Sequence, residues 1–370
     1  LFLMIGLAAG VDGLGIEFSN NYLAYILGSI ALAVILFDSG FGTPMQAFRL
    51  AAVPSLALAS IGVLITASLF AFAAMWLLNF TWLEGLLLGS IVASTDAAAV
   101  FFLLRIGGIN IRDKVRSTLE VESGTNDPMA IFLTIALVEV LASGERYAGI
   151  NIGMLAMFVQ QMGLGVILGL LGGMMIVLIV SKLDTDRGLT PIFVLALALL
   201  VFSFTGAVGG SGFLAVYVAG IYAGNRKMQA IGTIKRFQDG MTWLAQIIMF
   251  LVLGLLATPS QFPVIIVPAI LLALFLIFVA RPLAVWLSLL PFDYTQQEIG
   301  FVAWVGLRGA VSILLAIMPI LGGLENGQIY FNTAFIIVLV SLLLQGWTIK
   351  PVAKKLGLIP EYGSGGRWEF

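Results

Sequence analysis

Apolar runs of about 20 residues recur from one end of this chain to the other. Each is long enough to cross the hydrocarbon core of a bilayer as a helix. A bilayer offers no water to a lone N–H or C=O, so only helices and closed barrels can span it. Barrel strands alternate apolar and polar residues with a period of two, and these runs do not. The composition agrees: 61% of residues are hydrophobic, 10% are charged and the mean hydropathy is +1.10, whereas a soluble domain is about a quarter charged. The expected fold is an all-α polytopic membrane protein whose surroundings are lipid. A net charge of −1 gives no basic surface for nucleic acid. With no cysteine and no histidine in the chain, disulfides and thiolate metal sites are excluded. Proton chemistry near neutral pH then falls to a desolvated carboxylate or to lysine.

The pattern predicts twelve spans, at 1–10, 22–42, 54–78, 83–105, 115–141, 155–181, 190–207, 211–224, 241–257, 264–290, 299–320 and 332–350. The first is partial: the chain opens at Leu1 inside an apolar run, which reads as a truncated helix and not as a signal peptide. The two segments flanking Gly206 to Gly212 are short and glycine-interrupted, in the manner of the broken helices of transporters. Residues 1–356 form the expected membrane domain, and the polar, glycine-rich stretch 357–370 a tail remnant. Basic residues fix the orientation. Arg49, Arg105, Arg112, Lys114, Arg116, Lys182, Arg187, Arg226, Lys227, Lys235, Arg236, Lys350, Lys354, Lys355 and Arg367 fall in alternate loops or at the C-terminal end, with Arg281 near the same side, and the opposite loops hold only Arg146. The C-terminus is expected in the cytoplasm.

Most acids lie in loops or at span ends. Asp96, Asp127 and Arg308 do not: each sits near the midpoint of its span, so three ionisable residues on three helices share one depth. A charge there costs about 2.5–3.5 kcal/mol on insertion scales, and such residues mark pathways. A structural ion pair would account for one acid and Arg308 but not for two acids. Ser94-Thr95-Asp96 followed by three alanines suggests an unwound stretch whose carbonyls can hold a cation, the alternative being an ordinary helix with its hydroxyls bonded internally. In Glu122-Ser123-Gly124-Thr125-Asn126-Asp127-Pro128, Ser123 and Asp127 share a helix face, as do Glu122 and Asn126. Pro128 is expected to loosen the helix at Gly124, since it lacks an N–H. Arg308, set between Gly306 and Gly309, cannot lose its proton and needs a permanent acid partner, for which Glu122 is the choice. A hard monovalent cation wants oxygen ligands, which Asp127, Asp96, Ser123 and the Thr95 carbonyl can supply. A desolvated carboxylate at Asp127 can hold a proton or a cation but not both. Such competition yields exchange without an ATP site, and no GxxxxGK[ST] loop occurs.

At these residues the sequence resembles the bacterial cation/proton antiporters of the sodium/proton exchanger superfamily, in particular the cell-volume-regulating potassium/proton antiporters. The likeness runs over almost the whole chain and is most specific at Gly89 to Phe101, Glu120 to Leu133, Leu244 to Leu256, Val305 to Ser312 and Ser341 to Gly346. It implies a thirteen-helix antiporter fold of two inverted six-helix repeats, with one N-terminal helix missing here. It implies that span 83–105 is broken and crosses another, 299–320 in particular. It implies a homodimer of interleaved dimerisation and core subdomains in the bacterial inner membrane, with cytoplasmic regulatory domains absent from this chain. The family's ion-binding Thr-Asp falls on Thr95 and Asp96, its Asn-Asp pair, a mark of electroneutral exchange, on Asn126 and Asp127, and its Glu–Arg ion pair on Glu122 and Arg308. K⁺ in place of Na⁺ rests on this resemblance. No cofactor is expected beyond the transported K⁺ or Na⁺ and H⁺, and the chain is not expected to be an enzyme.

Several weaker features read differently. Asp38 suits a cap or loop contact ahead of a place in an inner funnel. Glu120 lies about 10 Å from Asp127 toward the cytoplasm by helical rise, where an ion relay is the less favoured reading. Gln345 and Gly346 read as packing. Gly163, Gly165 and Gly169 follow no strand, so they read as helix packing and not as a nucleotide loop. A cation channel is the first rival reading, though a buried Arg beside lone acids fits poorly with a ring of like ligands. An intramembrane aspartyl protease is the enzyme rival, but neither Asp stands in a Tyr-Asp or Gly-x-Gly-Asp motif.

Overall fold

The structure is a computed structural model that describes residues 1–106, 108–143, 152–182, 188–228 and 231–358. Arg146, Arg187, Arg367 and the tail beyond Leu358 lie outside the described residues. Among the described residues all regular structure is helical: α1 (Phe2–Ala9), α2 (Asn21–Gly42), α3 (Met45–Ala57), α4 (Val63–Leu78), α5 (Trp82–Ile91), α6 (Ala97–Ile106), α7 (Asp113–Ala142), α8 (Ile152–Lys182), α9 (Thr190–Ala207), α10 (Gly212–Gly224), α11 (Ile231–Leu256), α12 (Ile266–Phe275), α13 (Arg281–Leu289), α14 (Gln296–Trp304), α15 (Ala310–Leu315), α16 (Met318–Leu321) and α17 (Gly327–Lys355). A π-helical turn, Leu58–Gly62, joins α3 to α4, and another, Leu276–Ala280, joins α12 to α13. Eight of the resulting segments are long and apolar enough to cross a bilayer, and shorter apolar helices supply the rest. The chain is a multi-pass membrane protein, and each expected span coincides with one of these helices or with two or three in succession.

Two boundaries differ most from the reading of apolar runs. The span expected from residue 54 begins at Met45, and that expected from 241 begins at Ile231. Both extensions carry basic residues, Arg49 in one and Lys235 and Arg236 in the other. Hydropathy marks where lipid ends, and a helix continues past that point into water. The glycines between 206 and 212 do not break a span. They form the turn between two continuous helices, with Gly209 at φ +82°, a conformation that favours glycine.

One succession occurs twice along the chain. A span with a π-turn (α3–α4) is followed by a broken span (α5, α6) and a long unbroken helix (α7). The same order returns as α12–α13, α14 with α15, and α17. The two long helices run in opposite directions. The start of α7, at Val115 and Leu119, packs in one cluster with the end of α17, at Ile349 and Ala353. This is the inverted repeat expected of the fold.

The remaining helices form a second layer in which α10 packs on α2, α8 and α9, and α11 on α1 and α2. Small residues bring α2 and α10 to backbone contact: Gly40 faces the carbonyl of Tyr217, and Gly220 faces that of Phe37. Gly165 and Gly169 likewise seat α8 on α10, which is the packing role expected for them. The two layers meet where α10 and α2 touch α7, and where α11 and α2 touch α15.

Candidate ion and proton site

The site begins with two interrupted helices. Between α5 and α6, residues 92–96 leave the helical path, and between α14 and α15, residues 305–309 do so. An interruption in lipid strands backbone groups that must find partners inside the protein. Here each break satisfies the other. The amide of Asp96 donates to the carbonyl of Leu307 at 2.8 Å. Nη1 of Arg308 donates to the carbonyls of Ala93, at 2.5 Å, and Ser94, at 2.9 Å. The expected unwinding at Ser94–Asp96 and the crossing of the two spans are both present.

The unbroken helix α7 passes beside this crossing. Ser123, Asn126 and Asp127 follow an i, i+3, i+4 spacing and so present one face. The Ser123 hydroxyl donates to the Thr95 carbonyl at 2.9 Å and accepts from the Ala97 amide at 3.2 Å. Nδ2 of Asn126 donates to the Thr95 hydroxyl at 2.6 Å. The Ser94 hydroxyl donates to Oδ1 of Asp127 at 2.5 Å. Asp96 caps α6, its Oδ1 accepting from the Ala99 amide at 3.1 Å. Its carboxylate lies against Gly309, where an added Cβ would overlap it. Asp127, Asp96, Ser123, Thr95 and Asn126 are therefore gathered in one place. Pro128 does not interrupt α7, which runs unbroken from Asp113 to Ala142. The loosened backbone belongs to the crossing helices instead.

The expected ion pair is re-partnered. Oε1 of Glu122 lies 2.6 Å from Nη1 of Arg281, with both side chains buried. Arg308 makes no ion pair among the described residues. Its guanidinium reaches across to the orphan carbonyls of the other break. Glu122 still lies within electrostatic reach of both cations. Sequence position sets the depth of Arg308 but not its direction, and a guanidinium fork suits a pair of carbonyls as well as a carboxylate. Arg281 was expected near a span end. It is 3% exposed, and its stem lies against Gly306 in the second break.

Residues 1–355 match the family described as "Sodium/hydrogen exchanger, transmembrane". The chain belongs to the sodium/hydrogen exchanger family. Curated relatives of this exchanger family include the K(+)/H(+) antiporter NhaP of Alkalimonas amylolytica, 48% identical over 359 residues, covering 97% of this chain and 62% of that one. The K(+)/H(+) antiporter NhaP2 of Shewanella sp. (strain ANA-3) is 47% identical over 356 residues, covering 96% and 62%. The chain thus spans 62% of the length of these two relatives. Among solved structures, the sodium proton antiporter MjNhaP1 from Methanocaldococcus jannaschii at pH 8 superposes with a TM-score of 0.81 at 26% identity, covering 96% of this chain and 91% of that one.

Two residues beside this site, Arg281 and Tyr217, carried no signal in the sequence. Arg281 looked peripheral because it lies close to the end of its apolar run. Tyr217 of α10 is buried, and its ring lies against Gly124 of α7, so that a Cβ there would overlap the ring. Nothing in the sequence pairs these two residues, although a glycine between Ser123 and Asp127 is a mark of close approach. Among the described residues Asp38 makes neither a cap nor a loop contact. It lies within α2 and accepts from the Thr242 hydroxyl of α11 at 2.8 Å. Glu120 is tied to Arg116 at 3.0 Å, one helical turn away.

Proposed function

We propose that this chain is the membrane part of a secondary antiporter that exchanges K⁺ for H⁺, one for one, at Asp127. The observation that carries the reading is the placement of Asp127. It is buried at mid-span on an unbroken helix, against the crossing of two broken ones, with hydroxyl and carbonyl oxygens around it. Two carboxylates with neutral oxygens suit a hard, singly charged cation. Among the described residues no group of three or more His, Cys, Asp or Glu side chains gathers as it would round a more highly charged metal. Asp127 is the exchanging group. Asp96, committed to the amide that starts α6, serves as a fixed ligand, with Ser123 and the Thr95 carbonyl completing the set. Asn126 orients Thr95 and contributes no charge, so one proton trades for one cation. Glu122 and Arg281 neutralise each other outside this exchange.

The names of the two curated relatives support K⁺. The solved relative, named a sodium proton antiporter, supports Na⁺ as the second reading. The reading extends to a homodimer in the bacterial inner membrane with a cytoplasmic C-terminus, on the side of the basic loops. The test is a pH-gradient dequenching assay in proteoliposomes with K⁺, Na⁺, Rb⁺ and Li⁺, repeated with the membrane potential clamped. K⁺-driven dequenching that is indifferent to the clamp is expected, with Asp127→Asn inactive. Full exchange by Asp127→Asn would overturn the assignment.

A further inference from the structure

In an unbroken helix the amide of residue 308 would donate to the carbonyl of residue 304. The second break opens that bond, and both ends are taken up by one helix. Nε2 of Gln345 donates to the Trp304 carbonyl at 2.6 Å. The Arg308 amide donates to the Ser341 hydroxyl at 3.0 Å. The Ser341 hydroxyl donates in turn to Oε1 of Gln345 at 2.5 Å. Ser341 and Gln345 stand one turn apart on α17 and are buried. Each donor in the chain Arg308 N–H, Ser341 O–H, Gln345 N–H is used once, and each acceptor receives one proton. Two side chains are thus spliced into the place of a single backbone hydrogen bond.

The splice bears on the ion site through Arg308. The backbone of Arg308 is held by Ser341, and its guanidinium holds the carbonyls of Ala93 and Ser94. Ser94 in turn bonds Asp127. Without the splice, the cheapest partner for the Arg308 amide is the Trp304 carbonyl itself. Re-forming that bond winds residues 305–308 toward helix and withdraws the guanidinium from the first break. From this geometry we infer that Ser341 and Gln345 are positioning residues that keep the second break open, and through Arg308 set the cation affinity of the Asp127 site. Gln345 is then more than the packing residue its sequence position suggests. The inference rests on the antiport reading for its transport arm only.

The test uses the full chain in nanodiscs and in proteoliposomes. Hydrogen–deuterium exchange over 305–309 reads the splice independently of transport. Ser341→Ala is expected to change the exchange rate of the Arg308 amide by about tenfold, the worth of one buried hydrogen bond, and Ser341→Thr to keep it at the wild-type value. An unchanged rate overturns the splice. In the transport arm Ser341→Ala and Gln345→Leu are expected to raise the apparent KM for K⁺ about tenfold, with Ser341→Thr near wild type. An altered amide rate with an unaltered KM severs the link to the ion site and overturns the positioning role. Gln345→Glu supplies a readout that a purely structural part would not move. Its side chain can donate to Trp304 only when protonated, so activity recovers relative to wild type as the pH falls. A pH profile identical to wild type counts against the splice. Wild-type protein that exchanges no cation would defeat the antiport reading, and the amide rates would still decide the splice.

Discussion

Glu122 and Arg281 are 2.6 Å apart and buried from lipid and water alike, so the counter-charge of α7 stands on α13. Both repeats therefore contribute to the pair: α7 closes the first and α13 precedes the break of the second. Removing one partner strands the other as an uncompensated buried charge, which costs about 3–5 kcal/mol.

That cost is the first prediction. Glu122→Gln and Arg281→Met should each lower the thermal stability of the purified protein. Combined, they should cost much less than the sum of the two. Arg308→Met combined with Glu122→Gln should come closer to additivity. Thermal unfolding in detergent across the two double-mutant cycles decides it. Stronger coupling of Glu122 to Arg308 than to Arg281 would reverse the partner assignment.

Gly309→Ala places a methyl group on the Asp96 carboxylate. Asp96 must then turn away from the cation or release the Ala99 amide. The apparent KM for K⁺ should rise at least about tenfold, the loss of one charged ligand contact, while the protein still reconstitutes. Proteoliposome titrations of K⁺ measure it, and an unchanged KM would remove Asp96 from the ligand set.

A Cβ at Gly124 would fall on the ring of Tyr217 and 2.8 Å from its hydroxyl oxygen. The two residues belong to opposite layers, so Gly124→Ala wedges the layers apart. The maximal exchange rate should fall. Adding Tyr217→Ala should restore it, because the obstacle is then gone. Failure of the double variant to recover would mean that the glycine is needed for something other than room.

Proton and cation compete for Asp127, and the sign of the pH dependence follows. As the pH falls, more of the protein carries a proton at that carboxylate, and more cation is needed to displace it. The apparent KM for K⁺ should rise toward about tenfold per unit of pH at the acid end, while the rate at saturating K⁺ stays constant. A KM independent of pH would refute a shared site.

Much of this was legible in the chain itself, and for physical reasons. Apolar runs report lipid contact directly, so the spans were readable. Asp96, Asp127 and Arg308 stood out because a mid-span charge is costly enough to need a reason. What stayed hidden was direction. Sequence gives the depth of Arg308 and Glu122 but not the azimuth of either side chain, so the pairing with Arg281 could not be read. The ends of α3 and α11 were misplaced because hydropathy stops at the lipid boundary and helices do not. Ser341 and Gln345 are uncharged and common, and their role appears only once the bond they replace is seen to be open.

The mutual satisfaction of the two breaks has a consequence for synthesis. The carbonyls of Ala93 and Ser94 wait for a guanidinium 215 and 214 residues downstream. At ribosomal speeds that is a delay of roughly 10–40 s. During it the nascent segment holds bare peptide groups that oil will not accept. The first break therefore gains these partners only after the second half of the chain has been made.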